Sequence, residues 1–262
     1  MADLQHHIKC KKGDVARYVL TPGDPARVRE IASYWDEAHE VAFNREFLTY
    51  TGKYHGIPIS ATSTGIGGPS ASIAVEELAN IGAEVFIRIG TCGGTHKKVK
   101  PGHLIVPLAS MRSEGTSMEY LPPEFPAVAN PQVYNALLQA AKEQKFQCHT
   151  GINRSHDAFY EHQDNLLKWA EFYKDKRMQN WDYPLVSSEM ECTIVFLIPM
   201  LRGLQAGCVL VNVTPEPLSE LAKNPDLIYK VDESSKKIGV NEAIETALRA
   251  VEILEGQRKA KK

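Results

Sequence analysis

Glu84-Val85-Phe86-Ile87-Arg88-Ile89-Gly90-Thr91-Cys92-Gly93-Gly94 sets a cation inside a short apolar run and follows it with glycines. A short apolar run that ends in glycine reads as a buried strand. An arginine in such a strand is costly unless it meets an anion. Glycines just beyond let backbone N–H groups approach an anion closely. A structural ion pair explains Arg88 as well as a ligand does, and both readings stay open at this point.

Working outward, strand-like and helix-like segments alternate. Arg17–Thr21 is a strand that ends at Pro22-Gly23-Asp24-Pro25, with a helix from Ala26 to Tyr34. Ile57–Ser63 is a strand ending in Thr64-Gly65-Ile66-Gly67-Gly68-Pro69-Ser70. The helix after it carries Ala71, Ala74, Val75, Leu78 and Ala79 on one face. His103–Leu108 continues the pattern, Pro131 opens a helix bearing Leu137, Leu138 and Ala141, and Gly207–Thr214 is a further buried strand. Val240, Ile244, Ala247, Leu248, Val251 and Leu254 give the last helix its apolar face. Such alternation predicts an α/β fold, a three-layer α/β/α sandwich with a mixed, largely parallel central sheet. No linker or composition break divides residues 1–262, so one domain is expected.

Composition narrows the function. With 43% hydrophobic residues the chain is globular, and its net charge of −2 offers nothing to nucleic acid or an anionic membrane. No apolar run approaches the ~20 residues of a membrane span, and the first residues lack a signal-peptide core. The basic run Gln257–Lys262 reads as a solvated tail. Five scattered cysteines form no metal-ligand or disulfide pattern, which points to a reduced, cytosolic compartment. Cys92 reads either as a small buried hydrophobe or as a nucleophile without an evident base.

In open α/β sheets ligands bind beyond the carboxyl ends of strands. The turns at Gly23, Gly65–Gly68 and Gly90–Gly94 therefore converge on one rim. None of them fits a dinucleotide fingerprint, and no Walker lysine is present. The motifs on this rim are Gly23-Asp24-Pro25-Ala26-Arg27-Val28, Phe43-Asn44-Arg45-Glu46-Phe47, the Ser63–Ser70 turn, Arg88–Gly93 and Ser188-Glu189-Met190-Glu191. Ser72–Leu78, Glu124–Ala129 and Asp157-Ala158-Phe159-Tyr160 accompany them. In order and spacing the set resembles the nucleoside phosphorylases of the purine/uridine phosphorylase family, most closely the uridine-cleaving branch. The resemblance runs from His7 to about Thr214.

That resemblance implies a pentosyltransferase of pyrimidine salvage. Orthophosphate attacks C1′ of a nucleoside and the base leaves, so catalysis is mostly positioning and electrostatics. It implies Gly23, Arg27, Arg88 and Thr91 as phosphate donors, with Arg45 reaching in from a neighbouring subunit. Three guanidiniums suit a doubly charged tetrahedral anion. Glu191 is implied as acceptor for the ribose hydroxyls, with Met190 under the sugar, Glu189 in the same turn and His7 arriving from the partner. Arg27, Arg88 and Glu191 are thus the expected catalytic residues. Phe159, Gln163, Asn165, Gly93 and Asn212 are the expected base contacts, although Phe159 reads equally as a core aromatic. Glu46, Ile66 and Ser70 match positions that hold a monovalent cation between subunits. No other cofactor is implied, phosphate being a co-substrate. A shared site implies a homo-oligomer, dimeric or hexameric.

Base recognition departs from the pattern. Gln163 can both donate to a ring carbonyl and accept from a ring N–H. Where uridine-cleaving relatives carry arginines, this chain has Asn165 and Val213, and Lys168 is a substitute donor. Where purine-cleaving relatives carry an aspartate, it has Asn212, which is not an acid. A purine nucleoside phosphorylase, a nucleosidase using water and a non-catalytic nucleoside-binding protein are the competing expectations. Pro215–Asp232 reads as a flap near the base.

Overall fold

The computed structural model describes residues 4–221 and 230–261, without the side chains at positions 163, 176, 178, 219 and 221. One mixed sheet with helices on both faces runs through these residues. Its strands are β1 (Tyr18–Pro22), β2 (Glu37–Asn44), β3 (Phe47–Tyr54), β4 (Ile57–Thr62), β5 (Val85–Gly94), β6 (Leu104–Ser113), β7 (Ala127–Val128), β8 (Cys148–His156), β9 (Leu185–Glu189) and β10 (Gln205–Asn212). At the centre β4, β1, β5 and β10 lie side by side and parallel. The β2–β3–β4 edge is antiparallel. On the other side β10, β6, β8 and β9 lead back to β5, so these five strands close a ring.

The helices are α1 (Pro25–Ala32), α2 (Gly68–Asn80), α3 (Pro131–Glu143), α4 (Gln163–Lys174), α5 (Lys176–Gln179), α6 (Cys192–Leu201), α7 (Leu218–Leu221) and α8 (Glu233–Ala260). Local chemistry starts several of them. Asp24 accepts from the Ala26 N–H at 2.8 Å and Pro25 opens α1, while Asn130 does the same for α3 through Gln132 at 3.0 Å. The α2 and α6 helices pack together, as do α3 and α8, the latter pair against β10. No helix among the described residues is long and apolar enough to cross a membrane.

Two details differ from the sequence reading. The glycines after Arg88 do not turn: β5 runs on through Gly94, paired with β10 as far as Cys92 and then with Ser188 and Ser187 of β9. They are glycines because neighbours approach too closely for a side chain. A Cβ at Gly90 would lie 2.8 Å from the Arg88 guanidinium and 2.9 Å from Leu210, and one at Gly94 would lie 2.8 Å from Asn212. Five more strands are not read from the sequence: β2, β3 and β8 are too polar or too exposed to show an apolar run, and β7 and β9 are only two and five residues long.

Glu255 near the end of α8 ties that helix to β1. Its carboxylate accepts from Arg258 at 2.7 Å and from the Tyr18 hydroxyl at 3.0 Å. The Arg258 bonds, against the opposing effect of burial, hold its pKa down at about 2. A depressed carboxylate stabilises the fold fully above its unfolded pKa and loses that contribution as pH falls through the folded value. Glu255→Gln is therefore expected to cost about 1 kcal/mol at neutral pH, after discounting for the solvated Arg258 side. Near pH 2 the cost vanishes. Urea midpoints of both proteins across pH 2–7 test this, and a pH-independent difference would refute it.

Candidate active site

Backbone bonds clasp the first two turns together: Thr64 N–H donates to Pro22 at 2.8 Å and Gly65 N–H to Gly23 at 3.0 Å. With the end of β5 they form one wall of a cavity of about 730 Å³. Gly23, Arg27, Arg88, Thr91, Gly93, Glu46 and Ile66 line it, and so do Phe159, Glu189, Met190 and Glu191. The three glycine-bearing segments do share one rim.

Arg88 is 4% exposed, on β5 between Thr21 of β1 and Cys208 of β10. Its Nε donates to Glu189 Oε2 at 3.1 Å and its Nη2 to Glu191 Oε2. The ion-pair reading of Arg88 is thus correct in part, because its carboxylates belong to the cavity. Its Nη1 is buried and has no hydrogen-bond partner among the described residues. Burial works against the Arg88 charge, but Glu191 and Glu189 outweigh it and raise its pKa.

Arg27 comes from α1, where Nη1 donates to the Ile89 carbonyl at 3.4 Å. Burial and then the neighbouring Arg88 charge lower its pKa. Two guanidiniums that repel each other in a partly dry site favour an anion between them. Glu189 is held in place by Ser155 at 2.6 Å, Asn153 at 2.8 Å and the Glu191 N–H at 2.8 Å. Burial opposes its charge, yet Arg88 and these donors keep its pKa low. Glu191 accepts the Gly67 N–H at 2.6 Å, at the start of α2. Burial raises its pKa, Arg88 pulls it down and the Glu189 charge pushes it up again, with a net rise.

Several expected residues stand elsewhere. Arg45 is exposed, with φ of 55° in the β2–β3 turn, and does not line this chain's cavity. Nor does His7, whose Nδ1 lies 2.7 Å from Glu77. Ser70 also stays outside the cavity wall and donates to Glu46 at 2.8 Å and to the Thr64 carbonyl at 2.5 Å.

Asn165 is corrected: it is exposed on α4 and does not itself line the cavity, donating instead to Glu161, which does, at 3.1 Å, and Lys168 is likewise exposed and outside the lining. Asn212 is corrected too. Its carbonyl accepts from Gly94 N–H at 2.8 Å and Thr214 hydroxyl at 2.8 Å, so this buried amide braces β10 against β5 and does not face the cavity. Its neighbours Val213 and Thr214 line the cavity instead. The Gln163 side chain lies outside the described residues, as do residues 222–229 of the expected flap; Leu218 and Val231 on either side line the cavity.

Cys92 is buried, donates to the Val211 carbonyl at 3.5 Å and has its pKa raised by burial, which keeps it a thiol. The nucleophile reading fails on that ground.

Sequence reasoning missed Arg154, Glu161, Trp169 and Tyr173, which also line the cavity. Arg154 is a second inward cation in a strand, the oddity that exposed Arg88. Its segment Asn153-Arg154-Ser155-His156 is so polar that no apolar run announces the strand.

The phosphorylase superfamily profile matches residues 17–237. A uridine phosphorylase of Thermococcus kodakarensis is 46% identical over 223 residues, 84% of this chain and 80% of the relative. A guanosine phosphorylase of Halorubrum lacusprofundi is 36% identical over 251 residues, 95% of this chain and 99% of the relative. Among solved structures, purine nucleoside phosphorylase from Toxoplasma gondii in complex with immucillin-H superposes with a TM-score of 0.85. It is 33% identical and covers 98% of each chain. With a profile matched over most of its length and relatives 36–46% identical covered over 80–99% of theirs, this chain belongs to the phosphorylase superfamily.

Proposed function

We propose that this pentosyltransferase splits uridine with orthophosphate into uracil and ribose 1-phosphate. The observation that carries the reading is Arg88 with a buried, unpartnered Nη1 beside Arg27, in the cavity that also holds Glu189 and Glu191. Phosphate sits against Gly23, Arg27, Arg88 and Thr91, and Glu191 accepts from the ribose 2′- and 3′-hydroxyls over Met190. A phosphate oxygen forms the bond to C1′ while the C1′–N bond breaks, and the base departs with the bonding pair and takes up a proton. Charge passes from phosphate to base through a cationic sugar, so fixed guanidiniums and carboxylates do most of the catalytic work. Water as nucleophile needs no pair of neighbouring guanidiniums, one buried and one half-buried, which disfavours a nucleosidase.

Uridine is supported by the name of the Thermococcus relative and by the motif match. Arg45 and His7, both outside this chain's own cavity, are suited to complete a neighbour's site in a homodimer or a hexamer of dimers. Glu46, Ser70 and the Ile66 carbonyl offer hard oxygens for a monovalent cation beside that junction. The proposed reaction supports a role in pyrimidine salvage, and five cysteines without a disulfide support a cytoplasmic setting.

Uracil release from uridine, assayed with and without phosphate and against inosine and guanosine, tests the proposal. Phosphate-dependent release is the expected result. Release without phosphate means a nucleosidase, preference for inosine or guanosine means a purine enzyme, and no release means a binding protein.

A further inference from the structure

The cavity has a second polar end that phosphate and ribose do not use. Arg154 on β8 is 4% exposed, and its Nη2 donates to Glu161 at 2.6 Å. Its Cζ stands 3.9 Å over the centre of the Trp169 ring. A carboxylate and an aromatic face thus fix the guanidinium in one orientation. Its Nε is nevertheless buried without a partner among the described residues, and so are the hydroxyls of Tyr173 and Ser188. Arg154, Tyr173 and Ser188 all line one cavity, with the Tyr173 hydroxyl close to both of the others, and a cluster of polar atoms so poorly satisfied is costly and points to a polar ligand edge beside it.

Their position relative to the anion end is set by the sheet. Arg154 pairs with Ser188, and Ser188 with Gly93 across β8, β9 and β5. From Ser188 the chain runs through Glu189 and Met190 to Glu191, which is bonded to Arg88. Three residues span at most about 10 Å, room for a pentose between the two ends.

Resting on the phosphorolysis reading, we propose that Arg154, with Tyr173 and Ser188, reads the base and selects a carbonyl-bearing edge over an amino-bearing one. Guanidinium N–H groups only donate, so they meet a ring carbonyl and repel an exocyclic amino group. The hydroxyls can accept from the ring N–H beside that carbonyl. Uracil, hypoxanthine and guanine have this carbonyl/N–H edge; cytosine and adenine present an amino group there.

Calorimetric binding of uridine and cytidine, with turnover measured in parallel, tests the proposal. Wild type is expected to bind uridine at least about 10-fold tighter than cytidine. Arg154→Met should weaken uridine binding about 10- to 100-fold and erase the preference. Phosphate should protect this variant against heat as it does wild type. Tyr173→Phe, which removes one oxygen and leaves the Arg154–Glu161 pair intact, should weaken uridine binding by a smaller factor and narrow the preference. Equal binding of both nucleosides by wild type, or an unchanged preference in both variants, overturns the role of Arg154. Binding without phosphate-dependent turnover in wild type overturns phosphorolysis instead, and leaves base selection decided by the same titrations.

Discussion

Arg88→Ala is expected to lower kcat for phosphorolysis by about 10²–10³-fold, the scale for losing one preorganised donor at a site of developing charge. Arg88 holds two neighbours, Glu189 through Nε and Glu191 through Nη2, and its buried Nη1, without a partner among the described residues, is the donor proposed for the phosphate. Its removal therefore does more than delete a phosphate contact. Two buried carboxylates lose their counter-ion, and breaking such a group typically costs about 3–5 kcal/mol. One carboxyl is expected to take up a proton in the variant, and the melting temperature should fall. Arg88→Lys separates the effects. An ammonium restores charge but cannot reach both carboxylates and the phosphate in one plane. It should recover much of the stability and little of the turnover. Steady-state kinetics over a phosphate titration, with melting curves on the same samples, provide the check. Near-normal turnover in folded Arg88→Ala would remove Arg88 from the phosphate site.

Glu191→Gln is the second large effect, an expected loss of about 10²-fold in kcat/KM for uridine. The carboxylate is anchored by the Gly67 N–H and by Arg88, which leaves its remaining lone pairs for the sugar. An amide of the same shape keeps one acceptor and adds donors that face Arg88 or the sugar hydroxyls. Substrates lacking a 2′-hydroxyl lose less by the exchange, so the preference for uridine over 2′-deoxyuridine should contract. A loss equal for both sugars would argue for a purely structural role.

The same residue sets an acid limb. Burial and Glu189 raise the Glu191 pKa despite Arg88, so it protonates at a higher pH than an ordinary carboxylate. Activity that requires the ionised form should then fall as pH drops through a value above the usual carboxylate range. The fold should still be intact there, since Glu189 is held ionised to lower pH. In Glu191→Gln this limb should disappear from the pH profile.

The features legible in the sequence are those written within a few neighbouring residues. Alternating apolar runs gave the α/β layers, Asp24-Pro25 and Asn130-Pro131 marked helix starts, and the cation in an apolar strand marked Arg88. The Gly23, Gly65 and Gly90 segments pointed to one rim because parallel strands must end on the same side. Tertiary structure alone decided what long-range contacts control. Arg88 meets carboxylates 101 and 103 residues away. Asn212 is spent on bracing Gly94, 118 residues distant, and so cannot serve the base. Arg154 became visible only once β8 had been laid beside β9 and α4 had brought Trp169 over its guanidinium. A residue type states what bonds a group can make. Which of those bonds are already taken is settled by the packing of distant strands, and the groups left over form the site.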